Sequence, residues 1–195
     1  MTKSERTKQF IIEQSAPLFN TKGIAGTAMS DVMEVTKLAK GSLYGHFDSK
    51  DELSYAVVDF NLSKLVGRVE QAVNRESSAK DKLLAFLDTF ATPMQFPVEG
   101  GCPMVNFGSE SDDTNPVVRS KVKATILSAQ ARIAAIIEYG IARKEFKSTF
   151  NASEFAIKMM TLIEGGVLIG RVLESNTQME TIIAILKKEI SQELS

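Results

Sequence analysis

Between Lys37 and Leu53 the chain reads KLAKGSLYGHFDSKDEL, a stretch that holds its only histidine, one of its three tyrosines and two glycines four apart. Ser42, Tyr44 and His46 are hydrogen bonders of short to medium reach, and Lys40 and Lys50 flank them with positive charge. That set suits phosphate oxygens better than any reaction centre. In a helix each glycine costs about 1 kcal/mol relative to alanine, so Gly41 and Gly45 need a reason. Steps of about 100° per residue place both glycines on one side and Leu43 and Phe47 on the other. The apolar pair can then be buried, leaving a bare outer face that lets the backbone come close to something large.

The other reactive side chain is Cys102, in EGGCPMVNF. A thiol at a helix N-terminus gains thiolate character, whereas a free cysteine packed in a core is a small inert hydrophobe. Thiol catalysis would need His46 as its base, yet His46 lies in the glycine-faced helix and Cys102 far along the chain. One cysteine and one histidine in separate regions make no soft-ligand metal site. No glycine loop follows a strand, and no carboxylate pair marks an acid–base site. No catalytic residue, metal or cofactor is expected.

At 195 residues and 44% hydrophobic content the chain can bury one good core or two small ones. The net charge is −1. Its distribution is uneven: the first 50 residues carry seven Lys/Arg against five Asp/Glu, and the rest carry 16 against 19. A small basic head on an acidic body can place nucleic-acid contacts at the head alone. The single cysteine excludes an internal disulfide, and MTKSERTKQF lacks the apolar run of a signal peptide, so a cytoplasmic protein is expected. The most apolar segment, Phe155 to Leu173, contains Lys158, Glu164 and Arg171 and reads as a buried helix, with no membrane partner.

The elements that must position these residues are all helical. Apolar spacing predicts a first helix over Ser4–Lys22 with Gly23 after its end, and a second over Ala28–Thr36 with Thr27 as its N-cap. The third is the glycine-faced helix, ending near His46. Ser49 with Glu52 forms a capping box for a long fourth helix to about Arg75. Ser78 and Asp81 open a fifth through Phe90, which Pro93 and Pro97 terminate. Pro103 starts a short sixth, and Asn115–Pro116 a seventh to about Lys144. An eighth opens at Asn151 with Glu154, and a ninth spans about Gln178–Leu194. No strand pattern or internal repeat is present.

Two short helices joined by a tight turn, Ala28 to His46, form a helix-turn-helix, whose second helix enters the major groove while the first braces it. A polar surface loop is the alternative reading of the same residues. The run GTAMSDVMEVTKLAKGSLYGHFDSKDEL, Gly26 to Leu53, resembles the DNA-binding signature of the TetR family of bacterial transcriptional regulators. Lys40, Gly41, Ser42, Leu43, Tyr44, His46, Phe47, Ser49, Lys50, Asp51 and Leu53 match its pattern. Two positions depart from it: Lys37 stands in place of the usual turn glycine, and Ala39 in place of the Ser or Thr that caps the recognition helix.

The resemblance implies a helix-turn-helix domain over residues 1–49 and an effector-binding and dimerisation domain over 50–195. Thr27, Tyr44, His46 and Lys50 would contact phosphates of double-stranded operator DNA. Lys40, Gly41 and Ser42 would lie nearest base edges or the adjoining backbone. His46 could instead be a partner of the following helix. The family dimerises through its last two helices, and Gly165, Gly166 and Gly170 with the apolar stripe of the ninth helix agree independently. Such a homodimer spans half-sites about 34 Å apart. Phe86, Phe90, Met94, Cys102, Phe107, Met159 and Ile163 could line a site for a small apolar or aromatic effector, though residues at such spacing are commonly core. EGGCPMVNF also resembles a Gly-Cys motif in a subset of the family, some of whose members respond to electrophiles or oxidants. The expected function is a ligand-responsive repressor. The alternatives are a repressor switched through Cys102, and, in another class, a thiol enzyme or a helical ligand-binding protein without DNA activity.

Overall fold

The computed structural model describes residues 2–92 and 94–195, and among them the regular elements are α-helices. In chain order these are α1 Lys3–Gly26, α2 Met29–Thr36, α3 Lys40–Tyr44, α4 Lys50–Val73, α5 Ala79–Asp88, α6 Pro103–Ser111, α7 Pro116–Ala142, α8 Ala152–Val172 and α9 Thr177–Gln192. One antiparallel bridge, Phe146 to Leu194, is the extended pairing found among the described residues. No helix among them is long and apolar enough to cross a membrane.

Local chemistry sets most of the helix starts. Ser78 Oγ accepts the Asp81 amide at 3.0 Å, Asn151 Oδ1 the Glu154 amide at 3.2 Å, and Asn115 Oδ1 the Val118 amide at 3.1 Å. Each satisfies one of the orphan donors of a first turn. Pro103 and Pro116 occupy first helical positions, where a missing N–H costs nothing. Ser49 Oγ accepts the Glu52 amide at 3.1 Å, but the Glu52 carboxylate reaches the Asp48 amide at 2.8 Å, one residue earlier than in a reciprocal box.

Four expectations need correction. The first helix does not end at Gly23: it breaks there, with φ 76° and ψ 172°, and resumes to Gly26. Thr27 does not cap α2. It terminates α1, and Ala28 holds the N-cap position with its amide donated to Asp31 Oδ2 at 3.0 Å. The recognition helix is shorter than expected, ending at Tyr44, because Gly45 and His46 turn the chain with amides donated to the carbonyls of Gly41 and Leu43. The fifth helix ends at Asp88, ahead of Phe90. Pro93, expected to help terminate it, lies outside the described residues; Pro97 lies in the irregular connection that follows.

Backbone packing groups the chain into two compact units. The first comprises Met1–Leu65 and Phe96–Lys123, so α6 belongs to the unit that carries the helix-turn-helix, and within it α6 packs on α1. Its core is Ile11, Phe19, Val32, Leu43, Phe47, Leu53, Val57 and Phe107, all fully buried. The second comprises Val66–Gln95 and Ala124–Ser195. There α9 packs on α8 and α5, around Leu83, Leu87, Ile133, Ile137, Met159, Ile163, Leu186 and Ile190. Phe146, Phe150 and Phe155 stack edge to face where α7 turns into α8, with centroids 5.3 and 5.0 Å apart.

Candidate DNA-binding surface

The α2–α3 turn is built on Lys37, which adopts the left-handed conformation with φ 57° and ψ 22°. For a residue with a Cβ this costs on the order of 1 kcal/mol, which explains why glycine suits the position. From there α3 runs outward with Leu43 fully buried and Lys40, Gly41, Ser42 and Tyr44 exposed. A Cβ built on Gly41 meets nothing within 4 Å, so the outer face of the helix is open space. Lys40 Nζ stands 5.9 Å from the centroid of the Tyr44 ring, one turn further on, as a cation over an aromatic face. Ala39 supplies no side-chain cap to α3, as its methyl group dictates.

Phe47 is fully buried below His46, which is itself half-buried. Lys50, also half-buried, begins α4 and directs its Nζ towards the Ala25 carbonyl at 3.5 Å, the outer limit of a hydrogen bond. Lys8, which sequence reasoning passed over, secures the base of this surface: its Nζ donates to Glu52 at 3.0 Å and lies 4.7 Å from the Phe47 ring centroid. No local motif announces that contact, because the two residues are more than forty positions apart.

Two carboxylates of the head are held below their usual range. For Asp31 the main cause is the amide hydrogen bond from Ala28, with Lys22 adding attraction at 3.3 Å. For Glu52 it is the amide of Asp48, then Lys8. Both amides lie at the start of a helical segment, where negative charge is favoured.

Thr27 departs from its expected place. It is fully buried, and its hydroxyl donates to the Gly23 carbonyl at 2.6 Å, so that proton serves the break in α1 and is not offered to a phosphate. At the same break, Glu110 of α6 accepts the Ile24 amide at 2.8 Å and the Ala25 amide at 2.7 Å. Asn106, one turn earlier on α6, donates to the Asn20 carbonyl at 2.9 Å. None of these positions carries a sequence signature.

The residues named for an effector are distributed between the two units. Cys102 and Phe107 belong to the first, where both are buried. Phe86, Phe90, Met159 and Ile163 are buried in the second, with the Phe86 and Phe90 rings stacked at 5.8 Å. Met94, in the same unit, is half exposed and does not share that burial.

Comparison with known proteins agrees with this architecture. Residues 11–57 match the family described as "Bacterial regulatory proteins, tetR family", and residues 79–186 match "Tetracyclin repressor-like, C-terminal domain". A TetR transcriptional regulator from Chloroflexus aurantiacus J-10-FL superimposes with a TM-score of 0.95 at 37% identity, over 100% of this chain and 98% of that one. A TetR-family regulator from Cytophaga hutchinsonii gives 0.91 at 35% identity, again over 100% and 98%. The negative transcriptional regulator of the biofilm operon icaADBC, IcaR, from Staphylococcus aureus is 26% identical over 165 residues, 75% of this chain and 89% of its own. These relatives are DNA-binding regulators and not enzymes. This chain, with its helix-turn-helix head and its helical C-terminal part, is a member of the TetR family of bacterial transcriptional regulators.

Proposed function

We propose that this regulator is a homodimeric repressor that binds a palindromic operator and is released by a small apolar or aromatic effector. The observation that carries the reading is the outer face of α3, where Lys40, Ser42 and Tyr44 surround a glycine with open space above it. On this reading Lys40 and Ser42 would reach base edges or the nearby backbone, and Tyr44, His46 and Lys50 would reach phosphates. Thr27 is left out of this set because its hydroxyl is buried. IcaR, described as a negative transcriptional regulator, supports repression as the direction of control.

The dimer reading rests on α8 and α9. Leu168, Ile169, Val172 and Leu173 are half to three-quarters exposed at the end of α8, and Ile185 is 54% exposed on α9. Beside them a groove of about 360 Å³ runs over Gly165 and Gly166 between Leu162, Ile169 and Ile182, with an almost wholly apolar lining. A monomer would leave this surface in water, and a second copy would bury it. In function, residues 1–49 read the DNA, and residues 50–195 bind the effector and the second copy, with Lys50 at their start adding a phosphate contact.

For the effector, Phe86, Phe90, Met159 and Ile163 offer apolar and aromatic surface within the second unit, with Met94 at most at its rim, and Cys102 and Phe107 offer it within the first. Burial of Cys102 favours a reversible ligand over an electrophile. The reading is tested by selecting duplexes from a random library with the purified protein, then measuring binding and solution mass. A palindromic consensus bound by a particle of twice the chain mass is expected. Absence of any selected duplex would refute it.

A further inference from the structure

At Gly23 α1 is cut, and the two ends of the severed helical bond are both taken up by α6. In an unbroken helix the Ile24 amide donates to the Asn20 carbonyl. Here that amide goes to Glu110 Oε2 at 2.8 Å, while the carbonyl accepts from Asn106 Nδ2 at 2.9 Å. The other Glu110 oxygen accepts the next amide, Ala25, at 2.7 Å. Asn106 and Glu110 are one turn apart on a nine-residue helix, so they face the same way and move together. The turn before α6 completes the grip: Asn20 Nδ2 donates to the carbonyls of Glu99 and Gly101, and Asn106 donates also to Gly100.

We infer that Asn106 and Glu110 form a latch that holds α1 in its broken form, and that withdrawal of α6 lets α1 close into a continuous helix, changing how α2 and α3 are carried. Glycine at position 23 makes both forms accessible, since it adopts φ 76° and the ordinary helical value with similar ease. A Cβ there would meet Glu110 Oε2 at 2.8 Å, so a side chain at position 23 would push the carboxylate away from the Ile24 and Ala25 amides. Released from α6, the Ile24 amide and Asn20 carbonyl would be left unsatisfied in the broken form, which drives them to pair with each other. The segment after the break leads through the buried Thr27 directly into α2, so closing it turns the helix that braces the recognition helix. This inference rests on the regulator reading: Cys102 and Phe107, named for the effector, sit at and on the same short α6, and a ligand displacing them would withdraw the latch.

The test uses the full-length protein and a duplex selected by the wild type from a random library. Asn106→Ala, Glu110→Gln and Gly23→Ala should each weaken binding on the order of tenfold, within the range of allosteric couplings. The slope of log affinity against log salt should not change, since the same phosphates are neutralised. Asn106→Ala and Glu110→Gln combined should cost less than the product of the two, because they hold opposite ends of one severed bond. Hydrogen exchange at the Ile24 and Ala25 amides should accelerate in Glu110→Gln while helical circular dichroism is retained. Wild-type affinity in all three variants, or unchanged exchange at both amides, would overturn the latch. Loss of the whole fold in Glu110→Gln would overturn it too, making the pair a structural strut. If the wild type selects no duplex, the regulator reading fails, while the exchange measurement still decides whether α6 holds the break.

Discussion

Lys40 and Tyr44 form a cation–aromatic pair one turn apart on the exposed face of α3, with the ammonium 5.9 Å from the ring centroid. The pair limits the rotamers of a long flexible lysine before any DNA is bound, so less entropy is lost on docking. Tyr44→Phe keeps the ring and removes the hydroxyl, whereas Tyr44→Ala removes both. Binding to the selected duplex should fall for both, and further for Tyr44→Ala. Equal losses would mean that the ring plays no part in presenting Lys40.

Lys50→Ala should weaken binding across all duplexes and lower the slope of log affinity against log salt by about 0.9 for every phosphate that each subunit no longer neutralises. Lys40→Ala should in addition shift base preference if its ammonium reaches a base edge. The selected consensus for each variant distinguishes the two. An unchanged slope for Lys50→Ala would remove it from the phosphate-binding set and leave it as the partner of the Ala25 carbonyl.

The turn of the helix-turn-helix carries a removable strain. With Lys37 at φ 57°, Lys37→Gly should stabilise the head by about 1 kcal/mol, seen as a higher urea midpoint. Operator affinity should not rise in proportion, because glycine also widens the unfolded and unbound ensembles. A lower midpoint would show that the lysine side chain holds the turn together.

Acid should loosen the head through Asp31 and Glu52. Both have folded pKa values below their unfolded ones, so the unfolded state binds more protons in that window. Their stabilisation is complete above the unfolded values of about 4 and is lost as pH falls through the lower folded values. Urea unfolding of wild type and of Asp31→Asn and Glu52→Gln should therefore differ at pH 7 and converge below about pH 4. A difference that persists in acid would trace the effect to shape and not to charge.

Much of this architecture was legible because its signals are local. Ser78, Asn115, Asn151 and the prolines at 103 and 116 mark helix starts within one turn of themselves, and the structure uses each of them there. Leu43 and Phe47 are buried as their helical spacing requires, and Gly41 faces open space. Local reasoning failed at the end of α1. Gly23 looks like a stop and Thr27 like a cap, but Thr27 donates to the Gly23 carbonyl, and the amides after the break go to Glu110, more than eighty residues away, whose carboxylate alone resembles any surface acid. The grouping of α6 with the head is equally non-local.

The exposed end of α8 gives a test of the dimer. Val172 is 74% exposed in a single chain, so Val172→Asp costs little in a monomer but would bury an unpaired charge if a second copy covered it. Light scattering should then show the wild type at twice the chain mass and the variant shifted towards the single mass. Helical circular dichroism should be the same for both. A variant that remains fully dimeric would place the interface elsewhere.

Cys102 stands 1% exposed at the N-cap position of α6, between Gly101 and Pro103. A thiol so placed reacts only when the surrounding turn opens, and an opening that costs about 3 kcal/mol slows alkylation by roughly 100-fold relative to the unfolded chain. The native protein should therefore resist a small alkylating reagent at pH 7 and react promptly in urea, with Cys102→Ser binding the selected duplex as the wild type does. Fast native alkylation with a depressed pH midpoint, accompanied by operator release that Cys102→Ser abolishes, would reverse this outcome. The thiol would then be a switch: its modification would add bulk at the start of the helix that carries Asn106 and Glu110.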